Sequence, residues 1–285
     1  MANHPRFIVV DGYARAGRED LAAGGASTAG DLYARMLEAC APGCHVDILY
    51  PADPGSSLPK GAAIAQYDGI AWTGSSLTVY ADDPKVTPQI EFAKAAFANK
   101  VPSFGSCWAA QIAVMATGGR CAANPKGREM GIARKIALTP EGRAHPLYFG
   151  KKAVFDAFIS HDDEVTHLPP GGLMLASNGH THVQSVAVTH QGGIFWGLQY
   201  HPEYDLHELA RLCYCRKQKL VDKGFFRDLD EAQKFVDQLE ALHQDPSRKD
   251  IAWLLGIDED VMNEDIRRAE TRNWIDHLVL PNMRH

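Results

Sequence analysis

Four short apolar runs, Phe7–Asp11, His45–Tyr50, Gly69–Thr73 and Val101–Ser106, are separated by segments long enough to be helices. Two of these spacers carry apolar residues at helical intervals, Leu32-Tyr33-Met36-Leu37 and Ile90-Phe92-Ala93-Phe97. Strands joined by helices pair in parallel, because a parallel connection must return along the sheet before the next strand begins. Five further runs, Ile132–Leu138, Val154–Ser160, Leu173–Ser177, Val183–Val188 and Ile194–Gln199, follow one another through turns such as Pro169-Pro170-Gly171-Gly172 and Gln191-Gly192-Gly193. Short turns favour antiparallel or mixed pairing. From Glu203 onward the pattern is helical, with Leu206-Leu209-Leu212 and Phe235-Leu239-Leu242 as apolar stripes. Ala14–Gly30, rich in Gly and Ala, reads as a loop before the first helix. The expectation is an α/β chain with a sheet domain over residues 1–205 and a helical extension over 206–285 packed on it.

A chain of 285 residues is near the upper size for one hydrophobic core. A net charge of −6 offers no basic face, so nucleic acid is not an expected partner. No apolar run reaches the ~18 residues of a membrane span. The lead Met1-Ala2-Asn3-His4-Pro5-Arg6 enters Phe7-Ile8-Val9-Val10 directly, and that run is too short for a signal-peptide core. The six cysteines, Cys40, Cys44, Cys107, Cys121, Cys213 and Cys215, include no CxxC pair. Free thiols in a reducing cytoplasm are expected. Neither His180-Thr181-His182 nor the histidines and acids after His201 have convincing metal spacing, so no metal and no cofactor is expected.

One cysteine sits on a special turn. In Val101-Pro102-Ser103-Phe104-Gly105-Ser106-Cys107-Trp108-Ala109-Ala110-Gln111 a strand ends at Gly105 and a helix starts just after Cys107. A nucleophile on a sharp strand-to-helix turn needs small neighbours, and Gly105, Ser106 and Ala109 supply them. The helix N-terminus favours a thiolate there. The plain alternative is a buried structural thiol. A second unit is Gln199-Tyr200-His201-Pro202-Glu203. Residues two apart on an extended segment point the same way, so His201 and Glu203 can face one pocket, the carboxylate fixing the imidazole. Trp72, Trp108 and Tyr80 are candidates for the pocket mouth, although aromatics near strand ends are usually core.

Together these units resemble the class I glutamine amidotransferase family, whose motifs are Gly-x-Cys-x-Gly-x-Gln and Gln-(Phe/Tyr)-His-Pro-Glu. Two more segments are similar to it: Trp72-Thr73-Gly74-Ser75-Ser76 and Ser160-His161-Asp162-Asp163-Glu164-Val165. The resemblance covers about residues 5–205. It implies a three-layer, flavodoxin-like sandwich with a mostly parallel central sheet, and a catalytic domain over 1–205. It also implies a Cys107, His201, Glu203 triad. Cys107 would attack a γ-glutamyl amide to form a thioester. Backbone groups at Gly74, Ser75 and Trp108 would hold the oxyanion, and Gln111, Ser160 and His161 would bind substrate. Ala109 stands where the family usually has Gly, so its methyl is expected to tighten the elbow or reshape the pocket.

The chain carries neither a pyrophosphatase loop of the Ser-Gly-Gly-x-Asp-Ser type nor a phosphate-binding Gly-x4-Gly-Lys-(Ser/Thr) loop. Hydrolysis of a small-molecule γ-glutamyl amide is therefore the expected function. The alternatives are a glutaminase subunit delivering ammonia to a synthetase partner and a catalytically weak binding or regulatory homologue. In the tail, Ser247 is expected to cap a helix. Trp253 or Trp274 is the expected anchor of a homodimer contact or a lid, against the plainer reading of a cap on the domain's own core.

Overall fold

The computed structural model describes residues 4–59 and 61–283. Met1–Asn3, Lys60, Arg284 and His285 lie outside the described residues, and with them part of the amino-terminal lead and the end of the expected extension. The strands are β1 (Arg6–Val10), β2 (His45–Leu49), β3 (Gly69–Trp72), β4 (Ser103–Ser106), β5 (Arg120–Ala123), β6 (Glu129–Leu138), β7 (Val154–His161), β8 (Asp163–His167), β9 (Gly172–Ser177), β10 (Ser185–His190) and β11 (Gly193–Leu198). Nine of them form one sheet in the order β2-β1-β3-β4-β11-β10-β9-β6-β7. From β2 to β11 neighbours run parallel, and from β11 to β7 they run antiparallel.

Helices cover both faces. They are α1 (Arg15–Ala23), α2 (Ala29–Cys40), α3 (Thr87–Ala98), α4 (Trp108–Ala116) and α5 (Pro140–Ala144). After the sheet come α6 (Leu206–Cys215), α7 (Lys217–Asp222), α8 (Leu229–Gln244), α9 (Lys249–Leu255), α10 (Glu259–Met262), α11 (Glu264–Arg267) and α12 (Ala269–Trp274). The period of two along β1 divides the core. Phe7 and Val9 join Tyr33 and Met36 of α2 and Trp274 of α12 on one face. Ile8 and Val10 join Trp72, Ala93 of α3 and Ile112 of α4 on the other. This is the three-layer α/β sandwich. A third apolar cluster joins Leu21 and Leu32 to Leu209, Val236 and Leu239, so α6 and α8 lie over α1 and α2.

Three expectations are corrected. Ala14–Gly30 is not a loop: α1 occupies Arg15–Ala23, with Leu21 its buried residue. Its single apolar anchor leaves no stripe to read. The first tail helix starts at Lys249, not at a Ser247 cap; the Ser247 hydroxyl donates to Asp245 Oδ1 at 2.6 Å. Trp274 anchors no exposed contact. Its indole is fully buried, with ring centroids 5.5 Å from both Phe7 and Phe104. Gly69 makes room for it, since a Cβ there would lie 2.8 Å from the ring. Nearby, Glu270 pairs with Lys151 (2.8 Å) and accepts from the Tyr200 hydroxyl (2.7 Å). The tail is thereby fastened to the residue preceding His201. Trp253 is exposed. No helix among the described residues is long and apolar enough to cross a membrane.

Candidate active site

The carboxyl ends of β4 and β11, neighbours in the sheet, bring the two sequence units together. Cys107 lies between β4 and α4 with φ 55° and ψ −99°. A non-glycine residue rarely adopts such a backbone, which here projects the side chain from the top of the sheet. The turn is possible because Gly105 lacks a Cβ; one would lie 2.2 Å from the Trp72 carbonyl oxygen and 2.6 Å from the Ala109 methyl. Ala109 is fully buried in the packing under the elbow and does not line the cavity, so its methyl acts on the turn and not on the pocket wall. The Cys107 thiol lies 3.7 Å from the Ser160 carbonyl oxygen.

His201 follows β11 and is buried. Its Nδ1 lies 2.7 Å from Glu203 Oε1. Its ring stacks on Tyr204, centroids 4.1 Å apart and 2° from parallel. Nε2 is buried with no hydrogen-bond partner among the described residues. Burial opposes a charge on this ring, but Glu203 and the adjacent Cys107 sulfur outweigh it and raise the His201 pKa to about 9. His201 therefore holds its proton at neutral pH. Glu203 Oε1 also accepts from Ser106 Oγ at 2.8 Å, and Ser106 Oγ accepts from the Tyr33 hydroxyl at 2.7 Å. A hydrogen-bonded line thus runs Tyr33, Ser106, Glu203, His201, and it fixes the carboxylate from behind.

Gly74, Ser75 and Trp108 share a cavity of about 160 Å³ with Cys107 and His201. A Cβ on Gly74 would lie 3.2 Å from His201 Cε1, so glycine lets this loop approach the imidazole. Gln89, fully buried, backs the cavity: its Oε1 accepts from the Trp108 indole at 2.7 Å and its Nε2 donates to the Gly12 carbonyl at 3.2 Å. Gln111, Ser160 and His161 line the same cavity. Gln111 Nε2 donates to the Asp163 carbonyl at 3.1 Å. His161 is held by the Asp163 carbonyl (2.8 Å) and the Glu129 carboxylate (3.1 Å), not by Asp162. The aromatic expectation holds for Trp108 only: Trp72 is core, and Tyr80 lies outside the cavity wall, its hydroxyl donating to Asp163 at 2.9 Å.

A model of the class-I glutamine amidotransferase family matches residues 33–213. The chain is 35% identical over 244 residues to a γ-glutamyl-L-1-hydroxyisopropylamide hydrolase from a Pseudomonas species, covering 83% of this chain and 80% of that one. The chain belongs to the class I glutamine amidotransferase family. It is also 27% identical over 199 residues to γ-glutamyl peptidase 3 of Arabidopsis thaliana, covering 69% of this chain and 75% of that one. Its fold matches the crystal structure of a Thermotoga maritima glutamine amidotransferase with a TM-score of 0.68 at 14% identity, covering 98% of this chain and 99% of that one.

This amidotransferase-family site contains groups the motifs did not reveal. Tyr204 and Ser106 adjoin motif residues, and adjacency was the available signal. Arg128, from β6's approach, and Arg216, from the junction of α6 and α7, carry no local cue. Both donate to Ser160 Oγ, at 2.7 and 2.8 Å.

Proposed function

We propose that the protein is a cysteine-dependent hydrolase of γ-glutamyl amides. The observation that carries this reading is the convergence of Cys107 and His201 in one cavity, with Glu203 bonded to the imidazole from behind. The Cys107 sulfur, having ceded its proton to His201, attacks the γ-carbonyl carbon and forms the C–S bond. Backbone N–H groups of the Gly74–Ser75 loop and Trp108 receive the oxyanion. His201 gives its proton to the leaving nitrogen as the C–N bond breaks, and the amine departs. Water then attacks the thioester, its proton passes through His201 to the sulfur, and glutamate leaves. Glu203 fixes the imidazole and balances its charge. Gln111 and the Ser160–His161 segment hold the glutamyl end.

The purified protein alone, offered glutamine and a panel of γ-glutamyl alkylamides and peptides, is expected to release amine fastest from the substituted amides. Activity on glutamine alone would favour an ammonia-delivering subunit for a synthetase partner and overturn the hydrolase reading. A homodimer remains a proposal carried by the exposed Trp253, since Trp274 belongs to the core.

The two members of the acid–base pair differ in expected effect. His201→Ala removes the proton carrier, whereas Glu203→Gln removes only its charge partner, with Ser106 still able to bond the amide. His201→Ala is expected to lower kcat by at least ~10-fold more than Glu203→Gln. Wild-type rates in both variants would remove this pair from the mechanism.

A further inference from the structure

The two sets of groups assigned to the oxyanion arrive from different parts of the chain. The Gly74–Ser75 loop follows β3, and Trp108 opens α4. As the first residue of its helix, Trp108 has a backbone N–H without a partner inside that helix. Gly12, two residues past the end of β1, lies between the two: a Cβ there would be 2.9 Å from Trp108 Cδ1, 3.0 Å from the Gly74 carbonyl oxygen and 3.1 Å from Ser75 Cβ. Gly12 is tied to the loop twice. Its N–H donates to Thr73 Oγ1 at 3.0 Å, and its carbonyl accepts from Ser75 Oγ at 2.8 Å. Thr73 Oγ1 donates in turn to the Gly74 carbonyl at 2.7 Å. The C=O and N–H of one trans peptide point opposite ways, so this bond turns the Ser75 N–H away from Thr73.

Gln89 joins this assembly to Trp108. It stands on the buried stripe of α3 with Ala93, Ala96 and Phe97, where an apolar side chain would be the ordinary occupant. A carboxamide in the core is costly unless it is bonded, and this one is bonded at both ends. Its Oε1 takes the Trp108 indole N–H at 2.7 Å, and its Nε2 serves the carbonyls of Gly12 at 3.2 Å and Lys85 at 3.0 Å. Gln89 does not itself line the cavity. Building on the hydrolase reading, we infer that Gln89 is a positioning residue that sets the spacing of the oxyanion donors, through the Trp108 indole on one side and the Gly12 carbonyl on the other. The spacing matters because donors act only where charge develops, and a misplacement of about 1 Å can cost about 100-fold in rate.

Gln89→Met keeps a similar volume and removes all three bonds, and Trp108→Phe keeps a ring and cuts the same link from the other end. Each is expected to lower kcat on a γ-glutamyl alkylamide by about 10- to 100-fold with KM changed less than about threefold, because the donors hold the transition state and not the ground state. The double variant is expected to lose little more than the worse single variant, since both cut one link. Alkylation of Cys107 by iodoacetamide, read by mass spectrometry of the Cys107 peptide, forms no oxyanion and is expected to keep its wild-type rate in every variant. Wild-type kcat, a loss carried by KM, additive losses or slowed alkylation would each overturn the proposal. If Gln89→Met does not fold, Trp108→Phe decides by the same kcat, KM and alkylation readings. A wild type that cleaves glutamine alone overturns the hydrolase reading and not this one, because the same pattern measured on glutamine supports it. A wild type that cleaves no γ-glutamyl compound overturns both.

Discussion

Cys107→Ala is expected to lower turnover by at least about 10⁴-fold, because no second thiol among the described residues lines the cavity. The fold should survive, since alanine keeps the same Cβ on the same backbone. Cys107→Gly makes a sharper test. At φ 55° the native residue occupies a region where a Cβ is strained. Relieving it is expected to stabilise the glycine variant over the alanine variant by about 1 kcal/mol, with both inactive. Mass spectrometry of wild type with a slow γ-glutamyl substrate should show the acyl group on Cys107. Turnover retained by the alanine variant would discard the mechanism, and equal melting temperatures would discard the strain argument.

The second large effect lies far from the cavity. Trp274→Ala is expected to destabilise the protein by about 3–5 kcal/mol, the range for truncating a large buried aromatic. The indole fills the space between Phe7, Gly69 and Phe104, and no neighbour can collapse into it without moving three strands. Denaturant unfolding followed by circular dichroism gives the number directly. Removal of residues 247–285 takes away the same indole, and with it the Glu270 carboxylate that bonds Lys151 and Tyr200. The shortened chain is expected to be largely unfolded, so particle mass after truncation cannot report on dimerisation. A truncated chain with native circular dichroism would return Trp274 to a peripheral role.

Much of this architecture is legible in the sequence. Most strands of the main sheet show as compact apolar runs because they are buried on at least one face, while the edge strand β2, with only Leu49 buried, shows through its Val46, Ile48 and Leu49. The small sheet was not legible: β5 and β8 read Arg-Cys-Ala-Ala and Asp-Glu-Val-Thr-His, where side-chain pattern gives way to local pairing. α1 was missed because Leu21 alone is buried. At the site, Cys107, His201 and Glu203 were legible because each sits in a short motif. Tyr33 and Arg216 were not. Tyr33 reaches Ser106 across 73 positions and Arg216 reaches Ser160 across 56, and no single chain encodes such a pairing in its local pattern. The tail misled in the opposite direction: a tryptophan among charges looks like a surface anchor until the glycine that receives it, Gly69, is seen on β3.

The seat of Trp274 on β1, β3 and β4 also governs when the protein can become whole during synthesis. Those strands are made early, and they leave the ribosome with Phe7, Gly69 and Phe104 open to water on one side. Tyr33 and Met36 of α2 cover part of that face, but the space between Phe7, Gly69 and Phe104 waits for the indole of α12. The nascent chain must stay unfinished until residue 274 has cleared the exit tunnel, and the long closure costs entropy before any contact rewards it. Until then the chain carries that side only partly covered, the kind of exposed apolar surface that chaperones bind. A product released early keeps that side exposed, which marks it for proteolysis before a half-built cavity can meet substrate.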